Sequence, residues 1–222
     1  MTRPTDEISQ TLLPGMSLPR ALELLFSWIE SNGLFIDSDN GQRIGFLFPP
    51  DELESKCRDT QRPGGTIIKF FAQGNVNLKY WFGHESPEVL NRLCVFAQTG
   101  AEGSMAAFWL DCEGKQKIVH LGSGSGSTLV CVLADTPVDF LRLLAIGYDE
   151  ICWSQEFSRS PNANLADGEC FVYPNIAYQQ WVRDTFSVDI PKTAHEIVKC
   201  PSERGDLRSD DPFCRWVEQN VQ

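Results

Sequence analysis

The stretch from Leu93 to Trp153 constrains the fold most, because three strand-like runs lead directly into the most clearly marked helix of the chain. Residues 106–110 are apolar and residues 117–121 alternate in polarity, and the turn-forming residues 111–114 follow the first run. We therefore predict a β-hairpin. The third run, residues 128–133, is short, apolar and rich in β-branched residues, which indicates a central strand buried on both faces.

The helix that follows has a strong start signal. Thr136 supplies a side-chain oxygen for the N-cap, Pro137 suits the first helical position, and Asp139 places a negative charge in the first turn. Apolar residues then recur at helical spacing, so one face of the helix can cover a sheet, and Gly147 marks its predicted end. These apolar residues are Phe140, Leu141, Leu144, Ala145 and Tyr148.

Four segments of this stretch resemble the SUKH superfamily, which comprises chiefly bacterial toxin-immunity proteins and also a fungal regulator of cell-wall synthesis. They follow the family's order and consist of core and turn residues: 95–98 (VFAQ), 107–110 (AFWL), 119–122 (VHLG) and 139–148 (DFLRLLAIGY). A weaker resemblance extends over residues 181–198. The resemblance to this superfamily implies a cytoplasmic immunity protein that binds one cognate antibacterial toxin domain and blocks it.

The predicted fold is a single SUKH-like α+β domain over residues 1–222, with a mostly antiparallel, twisted sheet and helices packed on one face. Apolar residues at helical spacing predict further helices after Ser17 and over residues 176–186. Asp210 and Asp211 before a proline predict the start of a last helix.

Two further segments complete this prediction. Residues 66–72 and 77–82 flank the turn-forming Gln73-Gly74-Asn75 and predict a second hairpin. Residues 1–15 are polar, contain two prolines, and are expected to form a flexible N-terminal segment.

The charge of the chain bears on its partners. Thirty acidic residues against 19 basic ones give a net charge of −11, which disfavours nucleic acid and anionic membranes and favours a basic protein, such as a nuclease toxin. Many of the acidic residues fall late in the chain, where the alternative interpretation is a solvated face with helix caps. The candidate partner-binding residues are Asp149, Glu150, Glu156, Asp167, Glu169, Asp210 and Asp211.

The cysteines and the apolar runs predict the compartment. Eight cysteines are scattered without a CxxC pair, which favours reduced thiols in a reducing environment. Residues 1–10 lack an apolar signal core, and no apolar run approaches the roughly 20 residues of a membrane span. We therefore predict a cytoplasmic protein with no membrane partner.

No motif predicts a catalytic residue, a metal site or a cofactor. His84, His120 and His195 are far apart, and none stands at metal-ligand spacing to a cysteine. The Gly-Ser run at residues 122–127 contains no lysine and leads into a strand, unlike a phosphate-binding loop, so we interpret it as a strand connection. We predict a binding protein that is not an enzyme. The alternatives are a regulatory scaffold with several partners and a hydrolase whose nucleophile and base meet only in the fold.

Overall fold

The computed structural model describes residues 3–51, 61–163 and 171–221. The strands are β1 (Phe35–Asp37), β2 (Arg43–Phe46), β3 (Gln61–Pro63), β4 (Lys69–Gly74), β5 (Leu93–Gln98), β6 (Met105–Leu110), β7 (Gln116–Leu121), β8 (Val130–Ala134) and β9 (Phe171–Tyr173). The helices are α1 (Pro4–Thr11), α2 (Arg20–Ser31), α3 (Leu78–Phe82), α4 (Pro87–Leu90), α5 (Pro137–Ala145), α6 (Ile176–Phe186) and α7 (Pro212–Asn220). Seven strands form one antiparallel sheet in the order β1-β2-β4-β5-β6-β7-β8, and β3 pairs with β9 in a small parallel sheet. The predicted α+β class is confirmed.

The predicted hairpin and helix of the central stretch are also confirmed. β6 and β7 pair without interruption from Met105 opposite Leu121 to Leu110 opposite Gln116. At the start of α5, the backbone N–H of Asp139 donates to the side-chain oxygen of Thr136 at 3.1 Å. Local sequence signals were sufficient to predict both elements, because the residues that form the turn and the cap lie within a few positions of the backbone groups they bind.

Helices cover both faces of the sheet, whereas the sequence predicted them on one face only. Phe96 and Phe108 point into a core formed with α1, α2, α5 and α6. Val95 and Trp109 point to the opposite face, into a second core formed with α3, α4 and α7. All four side chains are at most 2% exposed. A strand that is apolar on both faces must be buried on both faces. This holds for β5 and β6 as it does for residues 128–133.

β8 is buried on both faces as predicted, but it is the last strand of the sheet and not a central one. The C-terminal segment satisfies its free edge. The backbone N–H of Val130 donates to the carbonyl oxygen of Ser202 at 2.7 Å, and that of Val132 donates to Asp211 Oδ2 at 2.9 Å. Asp211 Oδ1 also accepts from the backbone N–H of Cys214 at 2.8 Å and caps α7. These bonds occupy edge groups that would otherwise be open to another chain.

Replacing Asp211 should therefore destabilise the protein, because one carboxylate serves both the edge strand and a helix start. We expect Asp211→Ala to lower the free energy of unfolding by roughly 1–3 kcal/mol, and Asp211→Asn to lower it less because the amide keeps an acceptor oxygen. Urea denaturation measures the difference. Its exposed neighbour Asp210 provides the control. If Asp210→Ala lowered the free energy of unfolding as much as Asp211→Ala, the double role of Asp211 would be contradicted.

The N-terminal segment is more ordered than predicted. Residues 4–11 form α1, whose Ile8 is fully buried, and Thr11 Oγ1 lies 3.6 Å from the Cys94 sulfur of β5. The next helix begins at Arg20 and not directly after Ser17. Only Pro4 and Ile8 of α1 are buried, and its other residues are polar, so the sequence pattern does not predict a helix here.

The second predicted hairpin is wrong in its second half. Residues 69–74 form β4, but residues 78–82 form α3. Leu78 and Phe82, four residues apart, are both buried, and Gly83 ends the helix with φ of 80°. A short apolar run fits a strand and a helix equally well, and only the core that it meets decides between them.

Within the described ranges, no helix has both the length and the apolar character required to cross a bilayer. The six cysteines in these ranges are free thiols, and four of them are buried. Cys57 and Cys170 lie outside the described residues.

Candidate functional site

Three loops meet at one end of the large sheet. They are the β5–β6 turn (residues 99–104), the β7–β8 turn (residues 122–129) and the segment after α5 (residues 146–156). Hydrogen bonds join them: the backbone N–H of Ile151 donates to the carbonyl oxygen of Thr99 at 3.0 Å, and the hydroxyl of Ser127 donates to the carbonyl oxygen of Cys152 at 2.5 Å. The segment after α5 is thereby fixed against both turns.

This end of the sheet carries four carboxylates, which we call the acidic cluster: Glu102, Glu150, Glu156 and Glu203. Glu150 accepts hydrogen bonds from the backbone N–H of Ala101 at 2.9 Å and from the indole N–H of Trp153 at 2.6 Å. These donors come from two of the three loops. They orient the carboxylate without neutralising its charge.

Neutral donors hold two further members in the same way. Glu102 accepts hydrogen bonds from the backbone N–H of Ser104, at 3.0 Å, and from its hydroxyl. Glu203 accepts from the hydroxyls of Thr128 and Ser154. Among the described residues, none of the four carboxylates forms a salt bridge with lysine or arginine. The cluster is therefore a fixed source of negative potential.

The glycines of residues 122–127 allow this packing. A Cβ atom added to Gly126 would lie 2.6 Å from Glu102 Cγ and 3.7 Å from the ring of Trp153. Any side chain at this position would displace Glu102. The Gly-Ser run is thus the strand connection predicted from sequence, and it also shapes the acidic cluster.

The surroundings of Glu156 disfavour its charged form. Burial raises the pKa of Glu156, the negative charge of Glu150 raises it further, and Arg159 acts in the opposite direction. A carboxylate with a raised pKa lacks sufficient stabilisation of its charged form, so a cation brought by a partner would be favourable here.

His120 and Cys152 lie beneath the cluster, but they do not form a nucleophile and base. His120 is fully buried, its Nδ1 lies 2.9 Å from the carbonyl oxygen of Leu129, and its Nε2 has no hydrogen-bond partner among the described residues. Burial, then the charges of Glu150 and Glu102, raise the pKa of the Cys152 thiol, the opposite of what a reactive thiolate requires. Within the described ranges, no group of three or more His, Cys, Asp or Glu side chains is arranged to hold a metal ion.

Two of the predicted partner-binding residues serve the fold instead. Asp149 forms an ion pair with Arg62 at 2.7 Å and accepts from the backbone N–H of Thr66 at 3.1 Å, and its side chain is 10% exposed. Asp211 is 2% exposed and occupied by the edge strand and α7, so the helix-cap alternative applies to it. Asp210 is exposed beside it.

The remaining predictions divide between the cluster and the undescribed part of the chain. Glu150 and Glu156 belong to the acidic cluster, and their role in partner binding stays a prediction, whereas Asp167 and Glu169 lie outside the described residues. Sequence reasoning missed Glu102 and Glu203. The available signal was the position of Glu102 between Gly100 and Gly103 in a turn at the same sheet end as residues 122–127.

Comparisons with protein families, with curated proteins and with solved structures found no match for this chain. The resemblance of residues 95–148 to the SUKH superfamily therefore stays a prediction.

Proposed function

We propose that this chain is a non-catalytic, cytoplasmic protein that binds a basic antibacterial toxin domain, such as a nuclease, and blocks it by occlusion. The observation that carries the proposal is the acidic cluster: neutral donors hold three of its four carboxylates, and none of the four forms a salt bridge with a lysine or arginine among the described residues. The resemblance of the central stretch to the SUKH superfamily supports a toxin as the partner.

The mechanism follows from electrostatics and burial. Carboxylates that are already oriented lose little conformational entropy when a lysine or arginine binds them, so more of the interaction appears as affinity. The surrounding field, reinforced by the net charge of −11, accelerates encounter with a basic protein. Inhibition then requires only that the bound protein cover the toxin's active surface.

The direct test uses the product of the gene immediately upstream. We expect this product to arrest growth when expressed alone, and co-expression of this chain to restore growth. The two proteins should also elute together from a size-exclusion column. A product that is harmless, or whose toxicity this chain does not relieve, would contradict the proposal.

Association with this toxin should depend on salt and on the cluster. Screening acts within about 10 Å at 0.1 M salt, so added salt should slow association more than it speeds dissociation. Changing all four cluster residues from Glu to Gln removes their charge but keeps acceptor oxygens, and should slow association roughly 10-fold at low salt. Surface plasmon resonance across a salt series measures both rates.

A second variant controls for net charge. Asp39, Glu88, Glu113 and Asp184 are exposed acidic residues outside the cluster, and changing all four to their amides alters the total charge equally. We expect this variant to associate almost as fast as the wild type. Equal slowing of both variants would show that total charge, and not the cluster, steers the toxin.

A further inference from the structure

Two strongly exposed apolar side chains lie on segments that contact the end of the sheet carrying the acidic cluster. Among the described residues the exposed large hydrophobic side chains are Ile36, Val76, Tyr80, Phe171, Ile176 and Leu207. The two most exposed are Tyr80 at 78% and Leu207 at 79%. Single exposed apolar residues are common and need no explanation, so the position of these two is what matters.

Both lie on segments that touch each other. Tyr80 belongs to α3, and Leu207 lies three residues beyond Arg204. The Arg204 guanidinium lies 5.1 Å from the ring centroid of Trp81, the residue next to Tyr80. This contact holds the two segments together.

The same tryptophan connects these segments to the acidic cluster. The indole N–H of Trp81 donates to the carbonyl oxygen of Gly122 at 2.7 Å, at the start of the turn that contacts Glu102. Glu203, a member of the cluster, directly precedes Arg204. Trp81 therefore links the segments that carry Tyr80 and Leu207 to the end of the sheet that carries the acidic cluster.

We propose that Tyr80 and Leu207 are the apolar anchors of the interface, inserted into a basic partner protein whose lysines and arginines meet the acidic cluster. This inference rests on the proposed function, and it names the residues that supply the affinity for the partner. Tyrosine is enriched among the few residues that dominate binding energy, which typically lie beside charged groups that contribute mainly to encounter. The basic side chain beside Tyr80 does not oppose such a partner, because Glu85 binds Lys79 at 2.7 Å.

Charge favours a basic protein over two other occupants. A second copy of this chain would place two acidic clusters and two net charges of −11 close together, which is repulsive. An anionic membrane would be repelled in the same way. A basic protein gains from both parts of the surface.

The test measures binding of the upstream gene product to Tyr80→Ala, Leu207→Ala and the double variant. We expect the double variant to dissociate roughly 10- to 100-fold faster, with an association rate within about 3-fold of the wild type. The variant with four glutamines in the cluster should instead associate more slowly, with a dissociation rate that changes less. Since both anchors are exposed, thermal unfolding should not change.

Ile36→Ala and Ile176→Ala are the matched controls, because both residues are exposed isoleucines on other segments. Wild-type rates in the double anchor variant, or equally fast dissociation in the controls, would overturn the inference while leaving the proposed function intact. A dimer of the free protein that Tyr80→Ala abolishes would assign the surface to a second copy and overturn the inference. A wild-type chain that does not bind the upstream product would overturn the proposed function, and this inference with it.

Discussion

Replacing Phe140 with alanine is expected to lower the free energy of unfolding by roughly 3–5 kcal/mol. The ring is fully buried and packs edge-on against Phe96 at 5.7 Å, and Phe96 in turn stacks on Phe108 at 4.3 Å. Its removal leaves a cavity between α5 and the sheet that packed neighbours cannot fill. Since a typical domain is stable by only 5–15 kcal/mol, the loss should be visible in solubility as well as in urea denaturation.

The same substitution at Trp109 tests the opposite face. Trp109 is 2% exposed and packs against Phe213 at 5.1 Å and Trp216 at 5.7 Å, both in α7. We expect a loss of roughly 3–5 kcal/mol here too, because two covered faces make both residues core residues. Tyr80→Ala, at a 78% exposed position, should change stability by no more than about 0.5 kcal/mol. A Trp109→Ala protein as stable as Tyr80→Ala would mean that α7 does not cover this face.

Stability should fall by about 3 kcal/mol as the pH is lowered from about 6.5 to about 4 because of His120 alone. Burial lowers the pKa of His120 from 6.5 to about 4, and the Leu129 carbonyl with the charges of Glu102 and Glu203 offsets only part of this effect. In that interval the unfolded chain binds a proton at this residue and the folded chain does not, so acid favours unfolding. Above about 6.5 both states are neutral and the contribution is constant.

His120→Gln isolates this effect. Glutamine does not titrate and can still donate to the Leu129 carbonyl, so the variant should lose less stability than the wild type between these pH values, whatever its stability at pH 7. The exposed His195 supplies the control, because His195→Gln should keep the wild-type dependence. Urea denaturation at half-unit pH steps gives both curves. Parallel curves for wild type and His120→Gln would show that His120 is not a buried neutral base.

The acid response also bears on the proposed interface. His120 lies below Glu102 and Glu203, and Leu129, which accepts its hydrogen bond, precedes β8. The acidic cluster therefore rests on a part of the core that is neutral at pH 7. Acid should therefore lower the free energy of unfolding of the core that supports the cluster, and this loss should be smaller in His120→Gln.

The sequence by itself determined the elements whose signals are local. The β6–β7 hairpin, the Thr136 cap of α5, the bounds of α6 and the Asp211 cap of α7 all depend on groups within a few residues of each other. Turn chemistry, caps and helical spacing act over this distance, so they can be recognised without the fold.

The tertiary structure alone decided which acidic residues are available to a partner. Asp149 and Glu150 are neighbours with the same charge. Asp149 contacts Thr66, 83 positions away, and Arg62, whereas the described residues that bind Glu150 are all neutral donors. Glu203 enters the cluster through Thr128, 75 positions away. Whether the residues at 78–82 became a helix, and whether β8 took the edge, depended on the same kind of contact. Contacts between residues far apart in sequence decide which side chains are buried and which charges are compensated. These properties arise only when the chain has folded, so the residues next to a position in sequence do not predict them.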